Sequence, residues 1–236
     1  TCSSSARGSN EARVFAKSID CNREGVSFDF HADGQNARVR SNLVGRFNVD
    51  NLLCVGGALL AAGIDFERTM YSIGSIETIP GRMENCGETD SGAVVFIAYA
   101  HSPDSLRAAA KSLRKLSEGD LIIVFGCGGD RDRTKRRAMG SAAAEFFDRI
   151  IVTSDNPRSE EPKAIALEIL EGVKRHSCVS TILDRKLAIE ASMQGATRGD
   201  VVLIAGKGHE TFQEAQGMQI EFSDRSVVAK LLDENK

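Results

Sequence analysis

Three short segments carry the residue types best suited to chemistry. They are Phe125-Gly126-Cys127-Gly128-Gly129-Asp130-Arg131-Asp132, Thr153-Ser154-Asp155-Asn156-Pro157-Arg158 and Ala205-Gly206-Lys207-Gly208-His209-Glu210. In the first, three glycines would let backbone N–H groups approach a ligand, and Arg131, Arg133, Lys135, Arg136 and Arg137 follow. It is not a dinucleotide fingerprint, because Arg131 stands where the third Gly belongs, and it lacks the GK[ST] of a Walker A loop. Cations at a helix start oppose the helix dipole, which favours anion recognition over a plain turn with a solvated basic face. In the second segment Asp155 could hold an ammonium and Arg158 a carboxylate, on a turn stiffened by Pro157, as an amino-acid site requires. Capping of the next helix by Asp155 or Ser159 fits the spacing equally well. The third offers exposed backbone N–H groups beside a base candidate, His209, and a carboxylate, Glu210. A lone GKG is a weak pattern, and His209 alone reads as an ordinary loop histidine. His101, in Tyr99-Ala100-His101-Ser102, reads by itself as structural, and Asn48 as a helix-entry cap.

Each of the three segments follows a short apolar run, so the elements before them must bring them together. Val94–Ala98, Leu121–Phe125, Ile150–Thr153 and Val201–Ala205 read as buried strands. Helices are expected from Ser102 (with Leu106, Ala109, Ala110 and Leu113 on one face), over Lys135–Phe147, from Pro162 (burying Ile165, Ile169, Leu170 and Val173) and over Asp184–Gln194. Strands alternating with helices predict a parallel sheet covered on both faces, with ligands beyond the carboxyl ends of its strands. Convergence of the three decorated strand ends on one sheet edge strengthens the case for a site. A tail of strand Gln219–Phe222 and helix Arg225–Leu232 closes the chain.

The rhythm before about residue 80 is different. Ala12–Ile19, Val26–Phe30 and Ala37–Asn42, separated by Asn- and Gly-containing turns, predict an antiparallel meander. Asn51–Ala62 is apolar nearly all round and stops at Gly63, as a buried helix with a Gly cap would. A boundary is expected near residues 80–92.

Composition narrows the function. Of 236 residues, 42% are hydrophobic and 27% charged, with net charge −3, no Trp and two Tyr. That argues against a generic nucleic-acid binder, which would be basic and offer aromatic platforms. No apolar run approaches the roughly 20 residues of a membrane-spanning helix. The six cysteines, at 2, 21, 54, 86, 127 and 178, form no CxxC pair, so structural zinc is not expected. Reduced thiols in a cytoplasmic protein are the better reading. The start, Thr1-Cys2-Ser3-Ser4-Ser5, has neither an initiator Met nor a signal-peptide core, and the chain is expected to be processed or a fragment.

The segments GRFNVDN, PGRMEN, YAHSPDSL, FGCGGDRDRTKR, TSDNPR and AGKGHETFQ together resemble the Mur ligase family, in order and across essentially the whole chain. Within it they are most similar to members that add meso-diaminopimelate to UDP-N-acetylmuramoyl-dipeptide in peptidoglycan synthesis. The resemblance implies ATP-dependent ligation through an acyl phosphate, with magnesium. It implies an α/β fold: residues 1–80 as the β-meander and helical end of a central ATPase domain, and 81–236 as a Rossmann-like C-terminal domain with a mainly parallel sheet. It also implies that Arg131, Asp155, Asn156, Pro157, Arg158, Gly206 and Glu210 contact meso-diaminopimelate, Arg158 taking the distal carboxylate that L-lysine lacks and Glu210 the distal ammonium. Asn51, Arg82 and His101 would contact ATP, with no metal ligand in this chain. The UDP-binding domain, phosphate loop and catalytic residues would lie upstream. Ala98 stands where the family usually has a ribose-binding Asp, so weaker ATP binding is expected. An L-lysine-adding or related glutamate ligase, and a non-catalytic binding module needing a separate N-terminal half, are the alternatives; a nucleic-acid module would rest only on Arg131–Arg137.

Overall fold

Alternation of Val26, Phe28 and Phe30 gives strand β3 (Gly25–Ala32) one wholly apolar face, and all three side chains are buried. The computed structural model describes residues 4–5, 13–173 and 177–233, so Thr1, Cys2 and Ala12 lie outside the described residues. The chain divides into two units, Thr1–Ile79 and Pro80–Lys236.

In the first unit β2 (Val14–Asn22), β3 and β4 (Gln35–Ser41) form the expected antiparallel meander. A short β1 (Ser4–Ser5), not foreseen, pairs parallel to β2. Helix α1 (Phe47–Ala61) begins four residues earlier than its apolar run, and Asn48 lies inside its first turn rather than capping it. There Asn48 Nδ2 donates to Val44 O at 2.9 Å. The helix is not buried all round either: Val55 is exposed, whereas Val49, Leu52, Leu53, Gly56 and Gly57 face the sheet. A Cβ on Gly56 would strike the Phe30 ring, which explains a helix-weakening glycine at that point. The Gly63 stop is as expected, since Gly63 N donates to Leu60 O and Ile64 N to Leu59 O, a Schellman cap. A second helix, α2 (Phe66–Gly74), was not read from the sequence; Asp65 Oδ1 caps it through Arg68 N at 2.9 Å.

The second unit is a six-stranded sheet in the order β5-β6-β10-β7-β8-β9. Its strands are β5 (Glu84–Glu88), β6 (Val94–Ala98), β7 (Leu121–Phe125), β8 (Arg149–Val152), β9 (Val179–Thr181) and β10 (Val201–Ala205). All neighbours run parallel except the β5 edge. Every residue of β6, β7 and β10 is buried, as strands covered on both faces require. One face carries Val95, Ile97, Ile122, Val124, Val202 and Ile204 against α6 (Arg185–Gln194) and α7 (Asp224–Asp233). Helices α3 (Pro103–Arg114), α4 (Thr134–Phe146) and α5 (Pro162–Leu170) pack together beside β7 and β8. Ser102 and Ser105 close a capping box at the start of α3, whose Leu106, Ala109, Ala110 and Leu113 are buried as expected. Leu170, expected on the buried side of α5, is only half-buried. The tail is a hairpin, β11 (Phe212–Ala215) and β12 (Met218–Glu221), leading into α7.

No helix among the described residues is long and apolar enough to cross a membrane.

Candidate functional site

Because β10 inserts between β6 and β7, the loops following β6, β7, β8 and β10 meet at one sheet edge. They enclose a cleft of about 290 Å³ lined by Tyr99, His101, Gly126–Gly128, Arg131, Lys135, Asp155, Asn156, Arg158, Gly206 and Glu210. Within this unit the three segments singled out in the sequence therefore converge.

Two of the glycines of 126–129 have a packing role that their spacing did not suggest. A Cβ on Gly126 would overlap Thr153 O and one on Gly129 would overlap Pro157 O, so these residues let the β7 loop close onto the β8 loop. Gly129 N donates to Asn156 O at 2.8 Å, and Pro157 is buried in this contact. The basic run is likewise not a free anion site throughout. Arg136 is buried and donates to Glu160 Oε1 at 2.7 Å and Glu168 Oε2 at 3.0 Å, while Arg133 pairs with Glu168. The Arg136 guanidinium holds the Glu160 carboxyl well below its ordinary range, at about 2. Asp130, accepting from Ser159 Oγ at 2.6 Å and Ser159 N at 3.1 Å, is lowered too and ties the two loops together. Ser159 and Asp155 do not cap α5, whose N-cap is Glu161 without a side-chain bond. Lys135 Nζ donates to His101 O at 3.2 Å. Arg131 stays exposed at the cleft, its only hydrogen bond among the described residues running from Nη1 to the adjacent Asp130 O.

Arg158 is placed by the tail hairpin. Its backbone has φ of 51°, its N–H donates to Glu214 O at 3.0 Å, and its carbonyl accepts from Gln216 N at 2.7 Å. Its Nε donates to Glu214 Oε2 at 2.9 Å and Nη1 to Gly129 O at 2.8 Å. Among the described residues Nη2 has no hydrogen-bond partner, which leaves that edge of the fork for a ligand. Asp155 is fixed through its backbone, the carbonyl accepting from Gln213 Nε2 at 2.6 Å. Its carboxylate accepts no hydrogen bond from the described residues and lies against Gly206, where a Cβ would collide with Oδ2.

Asn156 and Glu210 are differently placed. Lys207 is fully buried, and its ammonium donates to Asn156 Oδ1 at 2.9 Å and Glu210 Oε2 at 3.0 Å; Asn156 Nδ2 donates to the same Glu210 oxygen at 2.8 Å. Asn156 Oδ1 also accepts from Glu214 N at 3.0 Å, so both ends of this amide are engaged inside the protein. Nothing in the local sequence around Lys207 signals this role. Nor are the N–H groups of 206–210 all open: Gly206 N donates to Ala98 O and Glu210 N to Lys207 O. The buried thiol of Cys127, on the cleft wall, is pushed by desolvation up to about 12.

The residues expected to meet ATP lie apart in sequence. Asn51, exposed on α1, donates to Asn48 Oδ1 at 3.1 Å. In the second unit the Arg82 guanidinium lies 5.0 Å from the Tyr99 ring centroid, and that ring is 4.5 Å from His101 and 5.5 Å from His209. Ala98 is buried at the end of β6 and offers the cleft no carboxylate. Among the described residues no group of three or more His, Cys, Asp or Glu is arranged to hold a metal ion.

Residues 81–208 match the family model described as Mur ligase, glutamate ligase domain. The chain is also similar to UDP-N-acetylmuramoyl-L-alanyl-D-glutamate--2,6-diaminopimelate ligase of Xylella fastidiosa (strain Temecula1), at 43% identity over 95% of this chain and 46% of that protein. It belongs to the Mur ligase family. A ligase of the same name from Prochlorococcus marinus is 39% identical over 94% of this Mur ligase chain and 44% of its own length. A solved structure of a protein with that name superposes with a TM-score of 0.70 at 36% identity, covering 98% of this chain and 47% of that one. The chain thus spans about half the length of the curated relatives it matches. The α/β architecture expected from the resemblance is the one found.

Proposed function

We propose that this chain is the amino-acid-binding half of a cytoplasmic Mur ligase that adds meso-diaminopimelate to UDP-N-acetylmuramoyl-L-alanyl-D-glutamate during peptidoglycan synthesis. Residues 1–80 correspond to the end of the family's central ATP-binding domain and 81–236 to its C-terminal domain. In the complete ligase the glutamate γ-carboxyl would take the terminal phosphoryl group of magnesium-bound ATP, releasing ADP, and the amine of diaminopimelate would then attack the acyl phosphate, releasing inorganic phosphate and a proton. This half contributes orientation of that amine and neutralisation of charge.

One observation carries the reading: two guanidinium groups, Arg131 and the Nη2 edge of Arg158, and the carboxylate of Asp155, which accepts no hydrogen bond from the described residues, share one small cleft. Such a set matches an α-amino acid with a second carboxylate at its far end. L-lysine would leave the Arg158 edge unpaired, and an unmatched charge partner discriminates strongly. Asp155 is the better ammonium acceptor, because Glu210 already neutralises Lys207. Asn156 and Gly206 then shape the cleft wall and Pro157 backs it from the loop contact with Gly129, while Arg82, His101 and Asn51 remain the assignments for ATP.

Calorimetric titration of the chain with meso-diaminopimelate and L-lysine, up to millimolar concentration, tests this. Binding of the former and at least about tenfold weaker binding of the latter is expected; equal binding of both would remove the diaminopimelate assignment. A second reading, a binding module that acts only with a separately encoded half, is favoured by Ala98, and copurification of an N-terminal partner would reveal it.

A further inference from the structure

We propose that the buried pair Arg185–Asp224 is the positioning device of the amino-acid cleft, a guanidinium strap that fixes Asp155 against Gly206; this rests on the functional reading above. Arg185 opens α6 and Asp224 opens α7, and both side chains are completely buried. Arg185 Nε donates to Asp224 Oδ1 at 2.7 Å and Nη2 to Asp224 Oδ2 at 2.8 Å. The same guanidinium also donates from Nη1 to Ser154 O at 3.2 Å and from Nη2 to Ala205 O at 3.0 Å. Those carbonyls immediately precede Asp155 and Gly206, the two groups that meet at the ammonium end of the cleft.

Strands β8 and β10 are not neighbours, because β7 lies between them. No ladder hydrogen bond can therefore set the distance between their ends, and Arg185 spans it. A Cβ on Gly206 would come within 3.9 Å of Arg185 Nη2 as well as striking Asp155 Oδ2, so the strap lies directly beneath the contact. Stability alone does not call for such a pair, since well-packed apolar residues often replace a buried ion pair without loss. An apolar pair has no donors for two carbonyls on separate strands, whereas the planar fork of arginine does. Asp224 holds that fork in the required plane with a two-point bond.

Arg185 and Asp224 do not touch the substrate, so the expected signature is lost binding at retained stability. The test compares wild type, Arg185→Lys and the double variant Arg185→Met/Asp224→Leu by meso-diaminopimelate titration, thermal unfolding and amide hydrogen exchange. The double variant should unfold within a few degrees of wild type yet bind at least about tenfold more weakly. Exchange should quicken at 154–158 and 206–210 but not along β6 or β7. Wild-type affinity in the double variant would overturn the proposal. If wild type itself does not bind, the functional reading fails, and exchange then decides: faster exchange confined to those two loops supports the strap, and unchanged exchange overturns it. If the double variant does not fold, Arg185→Lys, which keeps the charge but loses the fork, is judged on the same readouts.

Discussion

Lys207 and Glu210 form a half-hidden ion pair in the cleft floor, the fully buried ammonium lying 3.0 Å from Glu210 Oε2. An ammonium without partners would not tolerate that position, and Asn156 Oδ1 is its second acceptor at 2.9 Å. Replacing Lys207 by Met keeps the apolar stem but leaves Asn156 and Glu210 without their shared donor. Urea unfolding of Lys207→Met should show a loss of about 1–3 kcal/mol; an unchanged midpoint would mean that the pair contributes nothing.

Glu214 acts on the cleft through Arg158. Holding a non-glycine residue at φ of 51° requires surroundings that over-determine it, and Glu214 supplies both a backbone acceptor and the Nε partner. Glu214→Ala frees the guanidinium while leaving the backbone bond. Affinity for meso-diaminopimelate should drop about tenfold to a hundredfold, the equivalent of one charge-assisted hydrogen bond, with L-lysine affinity unmoved. Titration of both ligands checks it, and equal losses for both would point to general loosening of the loop.

Gly206→Ala adds a methyl where Asp155 Oδ2 sits, at a backbone φ of 116°. Gly34→Ala is the natural control, because Gly34 has φ of 84° and nothing within 4 Å of an added Cβ. Both should lose more than about 1 kcal/mol of stability for backbone reasons. Only Gly206→Ala should abolish diaminopimelate binding, and retention of binding would show that the Asp155–Gly206 contact is dispensable.

Acid should weaken the joint between the β7 and β8 loops. The Glu160 carboxyl is lowered from 4.5 to about 2 by Arg136. A carboxyl depressed on folding contributes stability that is complete above its unfolded value and is lost as pH falls through the folded one. The contribution should therefore disappear between about pH 4.5 and about pH 2. Glu160→Gln should be less stable than wild type at pH 7 and show a shallower acid limb in that window. Parallel pH profiles would contradict this.

Strands β6, β7 and β10 were legible to the residue because all of their side chains are buried, which leaves an unbroken apolar run. Helix α3 was legible from a local cap, Ser102, and one apolar stripe. The hairpin β11–β12 was only half seen, since its side chains are partly or wholly exposed and carry no alternation. Helix α2 is only 9 residues long, yet its signals are present: Asp65 as a cap and Phe66, Met70 and Ile73 on one face. Nothing in the local sequence marks Arg136, Arg185 or Lys207 as buried. Their burial depends on partners such as Glu160 and Asp224, 24 and 39 residues away, which only the fold brings close. The same holds for Asn156, where the sequence offers a carboxamide and the fold consumes it. Arg131, Asp155 and Arg158 stand out in the sequence by residue type, and the fold leaves the Asp155 carboxylate and Arg158 Nη2 without a hydrogen bond among the described residues.

The most direct measurement is residue-resolved: amide chemical shifts of the labelled chain during titration with meso-diaminopimelate, on wild type and on Arg158→Ala. Shifts should concentrate at Gly128, Arg131, Asp155–Arg158, Gly206 and Glu210, L-lysine should not reproduce them, and Arg158→Ala should lose them. Shifts centred elsewhere, or a response to L-lysine equal to that for diaminopimelate, would contradict the diaminopimelate assignment.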